Sequence, residues 1–88
     1  MKRFLLPLLA LLLATPALAE LRTETIEYRD GDTALRGHLA WDDRLQGPRP
    51  GIIVVHEWWG LNDYARSRAE QLAGMGYVAF AVDMYGED

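Results

Sequence analysis

The chain has 88 residues, a formal charge of −4, two histidines and no cysteine. The lack of cysteine excludes a disulfide scaffold, a cysteine zinc site and a lipid-modified amino-terminal cysteine. The acidic balance argues against nucleic acid as a partner, because that binding needs clustered positive charge to neutralise phosphates.

Lys2 and Arg3 open the chain, and an apolar run follows from Phe4 to Ala14, broken only by Pro7. Ala17-Leu18-Ala19 then sets small residues at the two positions a signal peptidase inspects. A charged start, a short apolar middle and an A-x-A exit predict a cleaved secretory signal over residues 1–19. The apolar run falls short of the roughly 20 residues a bilayer-crossing helix needs, so no stable membrane anchor is expected. The protein is therefore expected to be exported, periplasmic or secreted, with Glu20 as its first mature residue.

The mature part, residues 20–88, keeps seven basic against 13 acidic residues, a formal charge of −6. A chain of that size buries only about 60% of its unfolded surface, and here no disulfide compensates. Either it packs unusually well or it is the front portion of a longer domain. We expect the latter, since the last residues, Tyr85-Gly86-Glu87-Asp88, follow directly on an apolar strand.

From Arg22 to Asp30 the residues alternate, with Ile26 and Tyr28 on one face and Thr25, Glu27 and Arg29 on the other. That period of two predicts a half-exposed strand. Asp30-Gly31-Asp32 carries turn chemistry, and Leu35, Gly37, Leu39 and Trp41 alternate again, which predicts an antiparallel hairpin. His38 falls on the outward, polar face of that second strand and is expected to be a solvated surface histidine.

Asp42 to Pro50 reads as a polar loop. Gly51-Ile52-Ile53-Val54-Val55 is continuously apolar, as expected of a strand covered on both faces in a parallel sheet. Asn62 is a good helix N-cap and Asp63 suits the positive end of the helix. Ala65, Ala69, Leu72 and Ala73 follow at helical spacing, with Arg66, Glu70 and Gln71 expected to point outward. Gly74 and Gly76 offer stops, and Tyr77 to Val82 forms a second apolar run. Strand, helix, strand with uninterrupted apolar strands predicts a βαβ unit. The expected fold class is α/β: an antiparallel hairpin leading into a mostly parallel sheet.

In open α/β sheets ligands sit beyond the carboxyl ends of the strands, where His56-Glu57-Trp58-Trp59 and Met84-Tyr85-Gly86 are expected. His56-Glu57 resembles the start of a zinc-peptidase HExxH, but Gly60 stands where the second histidine is required. No metal and no cofactor are expected. Ser67, the single serine, lies in the helix without a G-x-S-x-G turn, so no nucleophilic triad exists within these residues. Glu57 has two readings, a carboxylate satisfied by loop or helix-end N–H groups, or a charged group facing a pocket. Loop N–H groups near Glu57 and Trp58 are suited to a developing oxyanion. Trp58 and Trp59 line a pocket or cover the sheet edge. His56 reads as a packed, hydrogen-bonded strand-end residue rather than a base.

Pro50 to Gly86, PGIIVVHEWWGLNDYARSRAEQLAGMGYVAFAVDMYG, resembles the amino-terminal part of the dienelactone hydrolase family of α/β-hydrolases. The resemblance rests on a strand followed by H/Q-E, two bulky residues, G and N, and on VAFAVDMYG against the family's D-L-Y-G strand end. It implies the α/β-hydrolase fold and hydrolysis of a small-molecule ester or lactone, a carboxymethylenebutenolidase-like activity, through a Cys or Ser, Asp and His triad. Glu57 then matches the glutamate that controls ionisation of the nucleophile, and Trp58 the position whose backbone N–H contributes to the oxyanion hole. Asp83 and Tyr85 match the D-L-Y-G stretch, taken as structural or pocket-forming. The triad itself would lie beyond residue 88. Two function classes follow: an amino-terminal piece of an exported dienelactone hydrolase-like enzyme, or an exported α/β-hydrolase-like domain that only binds.

Overall fold

A computed structural model describes residues 20–86; the expected signal segment lies outside them. Strands β1 (Leu21–Asp30) and β2 (Thr33–Asp42) pair antiparallel along their whole length, from Leu21 opposite Asp42 to Asp30 opposite Thr33. Gly31 closes the hairpin at φ +60°, a left-handed conformation that costs glycine nothing. Strand β3 (Gly51–Val55), helix α1 (Asp63–Gly74) and strand β4 (Val78–Val82) complete the described chain. The expected hairpin and βαβ unit are both present.

The four strands form one sheet in the order β1-β2-β4-β3. β4 lies inside, antiparallel to β2 through His38–Ala81, Leu39–Phe80 and Ala40–Ala79, and parallel to β3 from Gly51–Val78 to Val55–Val82. This order leaves β3 on an edge and brings its carboxyl end beside that of β4.

Helix α1 has a defined start and stop. Asn62 is extended, and its side chain accepts a hydrogen bond from the Ala65 N–H at 3.1 Å. At the other end Gly76, at φ +106°, donates to the Ala73 carbonyl at 3.1 Å while the Tyr77 N–H donates to Leu72 at 3.2 Å. Those two bonds around a left-handed glycine are the Schellman arrangement. Gly76 is therefore the stop, and Gly74 is the last helical residue.

The inner stripe of α1 is alanine: Ala65, Ala69 and Ala73, four residues apart, all buried. The sheet meets it with Ala79 and Ala81, both fully buried, and Val54, Leu61 and Leu72 pack around that cluster. Each buried carbon contributes only about 0.8 kcal/mol. What the alanines provide is close approach of helix to sheet, and a closely packed interface tolerates little added volume.

Two expectations on burial change. Ile53 and Val55 stay 68% and 62% exposed, because the single described helix covers only the opposite face of β3. His38 is not a solvated surface histidine. Its ring lies on the α1 side of the sheet, 16% exposed, with Nε2 2.9 Å from a Glu70 carboxylate oxygen. Glu70, expected to point outward, turns back across the sheet to meet it. The period of two set His38 apart from Leu35, Gly37, Leu39 and Trp41 correctly, but the face it was assigned to as outward and polar is the one that α1 covers.

Replacing Ala69 by Leu is expected to lower stability by about 1–3 kcal/mol through overpacking. Asn62→Ala is expected to cost about 1 kcal/mol through loss of the cap. Urea unfolding of each variant, followed by circular dichroism, measures both.

Candidate functional site

β4 does not run on into solvent after Val82. The Asp83 side chain, 6% exposed, folds back and accepts hydrogen bonds from three backbone N–H groups: Arg36 at 2.9 Å, Gly86 at 3.0 Å and Tyr85 at 3.1 Å. The Tyr28 hydroxyl donates to the Asp83 carbonyl and accepts from the Asp83 N–H, each at 2.6 Å. The carboxylate thus takes over where the β2–β4 ladder ends, and it tightens Met84-Tyr85-Gly86 into a turn. Burial pushes the Asp83 carboxyl up. The N–H groups of Arg36, Gly86 and Tyr85 outweigh this and hold it below the ordinary value.

The loop after β3 is also a turn. The Glu57 carbonyl accepts from the Gly60 N–H at 3.2 Å, closing Glu57-Trp58-Trp59-Gly60, with Gly60 at φ +87°. His56 joins the two turns. Its Nε2 accepts from the Met84 N–H at 3.1 Å, its Nδ1 lies 2.5 Å from the Glu57 carbonyl, and the Tyr85 ring meets it edge-on at 4.8 Å. The structure thus places His56 as a packed, hydrogen-bonded strand-end residue.

The expected catalytic residues are on this loop. The Glu57 side chain is exposed and makes no hydrogen bond within the described residues; Asn62, not Glu57, caps α1. The Trp58 N–H likewise has no acceptor within the described residues. The Trp58 and Trp59 rings meet edge-to-face at 6.0 Å and remain 78% and 75% exposed, so neither seals the sheet edge. An open cleft of about 620 Å3 lies beside them on the α1 side, its wall including His38, Trp59, Gly60, Leu61, Arg66 and Tyr85. Trp59 and Tyr85 line it, while Glu57 and Trp58 stand outside it. Among the described residues no group of three or more His, Cys, Asp or Glu side chains is placed to hold a metal.

Sequence reasoning missed one contributor. The bridge through His56 depends on β3 and β4 being neighbours, which spacing along the chain does not encode. At the opposite end of the sheet from the site, Asp42, expected in a polar loop, is 2% exposed at the end of β2, where it accepts from the Arg44 backbone and guanidinium and from the Glu20 N–H.

A hairpin feeding a parallel unit, with a free loop donor at the carboxyl end of β3, is the amino-terminal part of an α/β-hydrolase fold. The chain belongs to the dienelactone hydrolase family, whose sequence profile matches residues 35–88. It is 38% identical over 66 residues to the Escherichia coli (strain K12) protein named "Putative hydrolase fragment YghX", a match covering 73% of this chain and 56% of that one. Among solved structures it is similar to m3DLH, with 46% identity and a TM-score of 0.73 over 76% of this chain and 28% of that one. It is also similar to the dienelactone hydrolase-like promiscuous phosphotriesterase P91 from metagenomic libraries, with 43% identity, the same TM-score and the same coverage. The chain therefore spans little more than half of YghX and about a quarter of the two solved structures.

Asp83→Ala leaves three partly buried N–H groups without their acceptor and is expected to cost about 1–3 kcal/mol at pH 7. Because the folded pKa is depressed, this carboxylate's contribution is complete above the unfolded value of 3.8 and is lost as pH falls through the folded pKa. Asp42, held low chiefly by the Arg44 guanidinium, adds a loss of the same sign. Urea unfolding between pH 7 and pH 2 is expected to show an acid decline that is shallower, but still present, in Asp83→Asn.

Proposed function

We propose that the chain forms the amino-terminal portion of an exported enzyme that cleaves an ester or lactone by nucleophilic catalysis, residues 1–19 being its secretory signal and 20–88 the start of the catalytic domain. In this reading the nucleophile and the acid and histidine of its triad lie beyond residue 88. Attack on the carbonyl carbon moves charge onto the carbonyl oxygen, and a donor already aimed at that oxygen stabilises the transition state more than the ground state. The Trp58 N–H is that donor. The Glu57 carboxylate stands one residue away and, placed near a thiol or hydroxyl nucleophile, governs how readily that group gives up its proton.

The observation that carries this reading is the Trp58 N–H, free of any acceptor within the described residues at the carboxyl end of a strand in a dienelactone hydrolase-family chain. Ester and lactone carbonyls are the first substrate class to assay. The name of P91 adds phosphotriesters as a second.

The reading frame past Asp88 is expected to encode a G-x-[CS]-x-G turn followed by an aspartate and a histidine. An intact frame without them overturns the catalytic reading in favour of a binding domain. In the enzyme carrying the triad, Glu57→Gln is expected to lower kcat on an activated ester on the order of 100-fold. The 88 residues alone are expected to show no saturable hydrolysis. Protein recovered from the periplasm or medium is expected to begin at Glu20 by amino-terminal sequencing.

A further inference from the structure

His56 is half-buried between the two strand-end turns and bonds to both, and its partners fix its protonation. The Glu57 carbonyl can only accept, so Nδ1 carries the proton. The Met84 N–H can only donate, so Nε2 offers its lone pair. The opposite tautomer sets two donors against each other at Met84 and two lone pairs against each other at Glu57. The ring is therefore neutral, with its proton on Nδ1.

The Glu57 carbonyl belongs to the same peptide unit as the Trp58 N–H. No peptide bond among the described residues is cis, and in a trans unit the two groups point in opposite directions within one plane. The carbonyl is held from one side by His56 and Gly60, at 2.5 and 3.2 Å. The plane has little freedom to rotate, and the Trp58 N–H is aimed away from both partners. Met84, in the turn tied down by Asp83, holds the ring from its other nitrogen.

We infer that His56 is a positioning residue: in its neutral Nδ1–H form it clamps the Glu57–Trp58 peptide and so aims the Trp58 N–H. The inference rests on the reading of that N–H as an oxyanion donor. His56 itself touches neither substrate nor nucleophile in this role. It replaces the flexibility of an exposed turn with a fixed direction, so that no reorganisation is needed when charge develops. A histidine serves here because one ring presents a donor and an acceptor on opposite edges, linking two loops that the chain separates by 28 positions.

The test uses 15N-labelled protein. Long-range imidazole correlations are expected to show one His56 tautomer, protonated on Nδ1; the Nε2–H form, or a mixture, overturns the inference. The Trp58 amide order parameter is expected near 0.85, the value of rigid backbone, and to fall towards 0.6 in His56→Leu. His56→Asn, whose amide nitrogen occupies the place of Nδ1, is expected to restore it. An unchanged Trp58 amide in His56→Leu, or no rescue by Asn, also overturns it. If His56→Leu does not fold, the tautomer of the unsubstituted protein decides.

In the enzyme carrying the triad, His56→Leu is expected to lower kcat roughly 10- to 100-fold with little change in KM, and His56→Asn to recover most of the loss. Active enzyme indifferent to His56→Leu overturns the positioning role and leaves the oxyanion reading intact. A rigid clamp in a protein with a complete triad but no ester hydrolysis overturns the oxyanion reading alone.

Discussion

The strand-end architecture depends on a carboxylate that works as a piece of backbone. Asp83 takes the Arg36 N–H that the β2–β4 ladder no longer reaches, and it gathers the Tyr85 and Gly86 N–H groups into the same pair of oxygens. Charged acceptors make stronger hydrogen bonds than neutral ones, and three N–H donors repay much of the desolvation of a nearly buried carboxylate. The Tyr28 hydroxyl binds the same residue through its main chain, so the far strand of the hairpin is tied to the end of β4. From Asp83 the order passes to the Met84 N–H, through the His56 ring, to the Glu57 carbonyl. Each link fixes the next without an apolar core beneath it.

The apolar core has a different task. Alanines on α1 and β4 bring helix and sheet close, with the Asn62 cap and the Gly76 stop setting where the helix begins and ends. These features place the carboxyl ends of β3 and β4 side by side, and the hydrogen-bonded turns then shape the surface above them. Packing sets position and polar contacts set direction. The His38–Glu70 pair adds a polar tie between α1 and the sheet from within the packed face.

Much of this was legible in the sequence. Gly51–Val55 matches its expected strand at both ends, Asn62 is the cap it was read to be, and alternation in the hairpin separated its two faces without showing which one the helix covers. These are local properties, written in neighbouring residues. His38 was misread because its face was taken as the outward one, while α1 with the Glu70 side chain, 32 positions away, covers it. The site divides in the same way. Glu57 and Trp58 were singled out from their place after an apolar strand and from resemblance, and Gly60 excluded the zinc motif from spacing alone. The roles of Asp83 and His56 needed strand order, since neither bonds only to its sequence neighbours. Away from the site, Asp42 looked like loop composition until Arg44 and Glu20 closed around it.

The strand order also governs when these parts come together. β4 is the last strand of the four, yet it lies between β2 and β3, which do not pair with each other. During synthesis at roughly 5–20 residues per second, β3 and its loop emerge well before their partner strand exists. The hairpin has its ladder early, but β3 gains its first backbone partner only when Val78–Val82 slots into place. Met84 follows two residues later and gives His56 its second contact. Closing the sheet and setting the loop after β3 are thus nearly one event on the folding path. Any change that delays entry of β4 lengthens the time for which the apolar edge of β3 stands open to other chains.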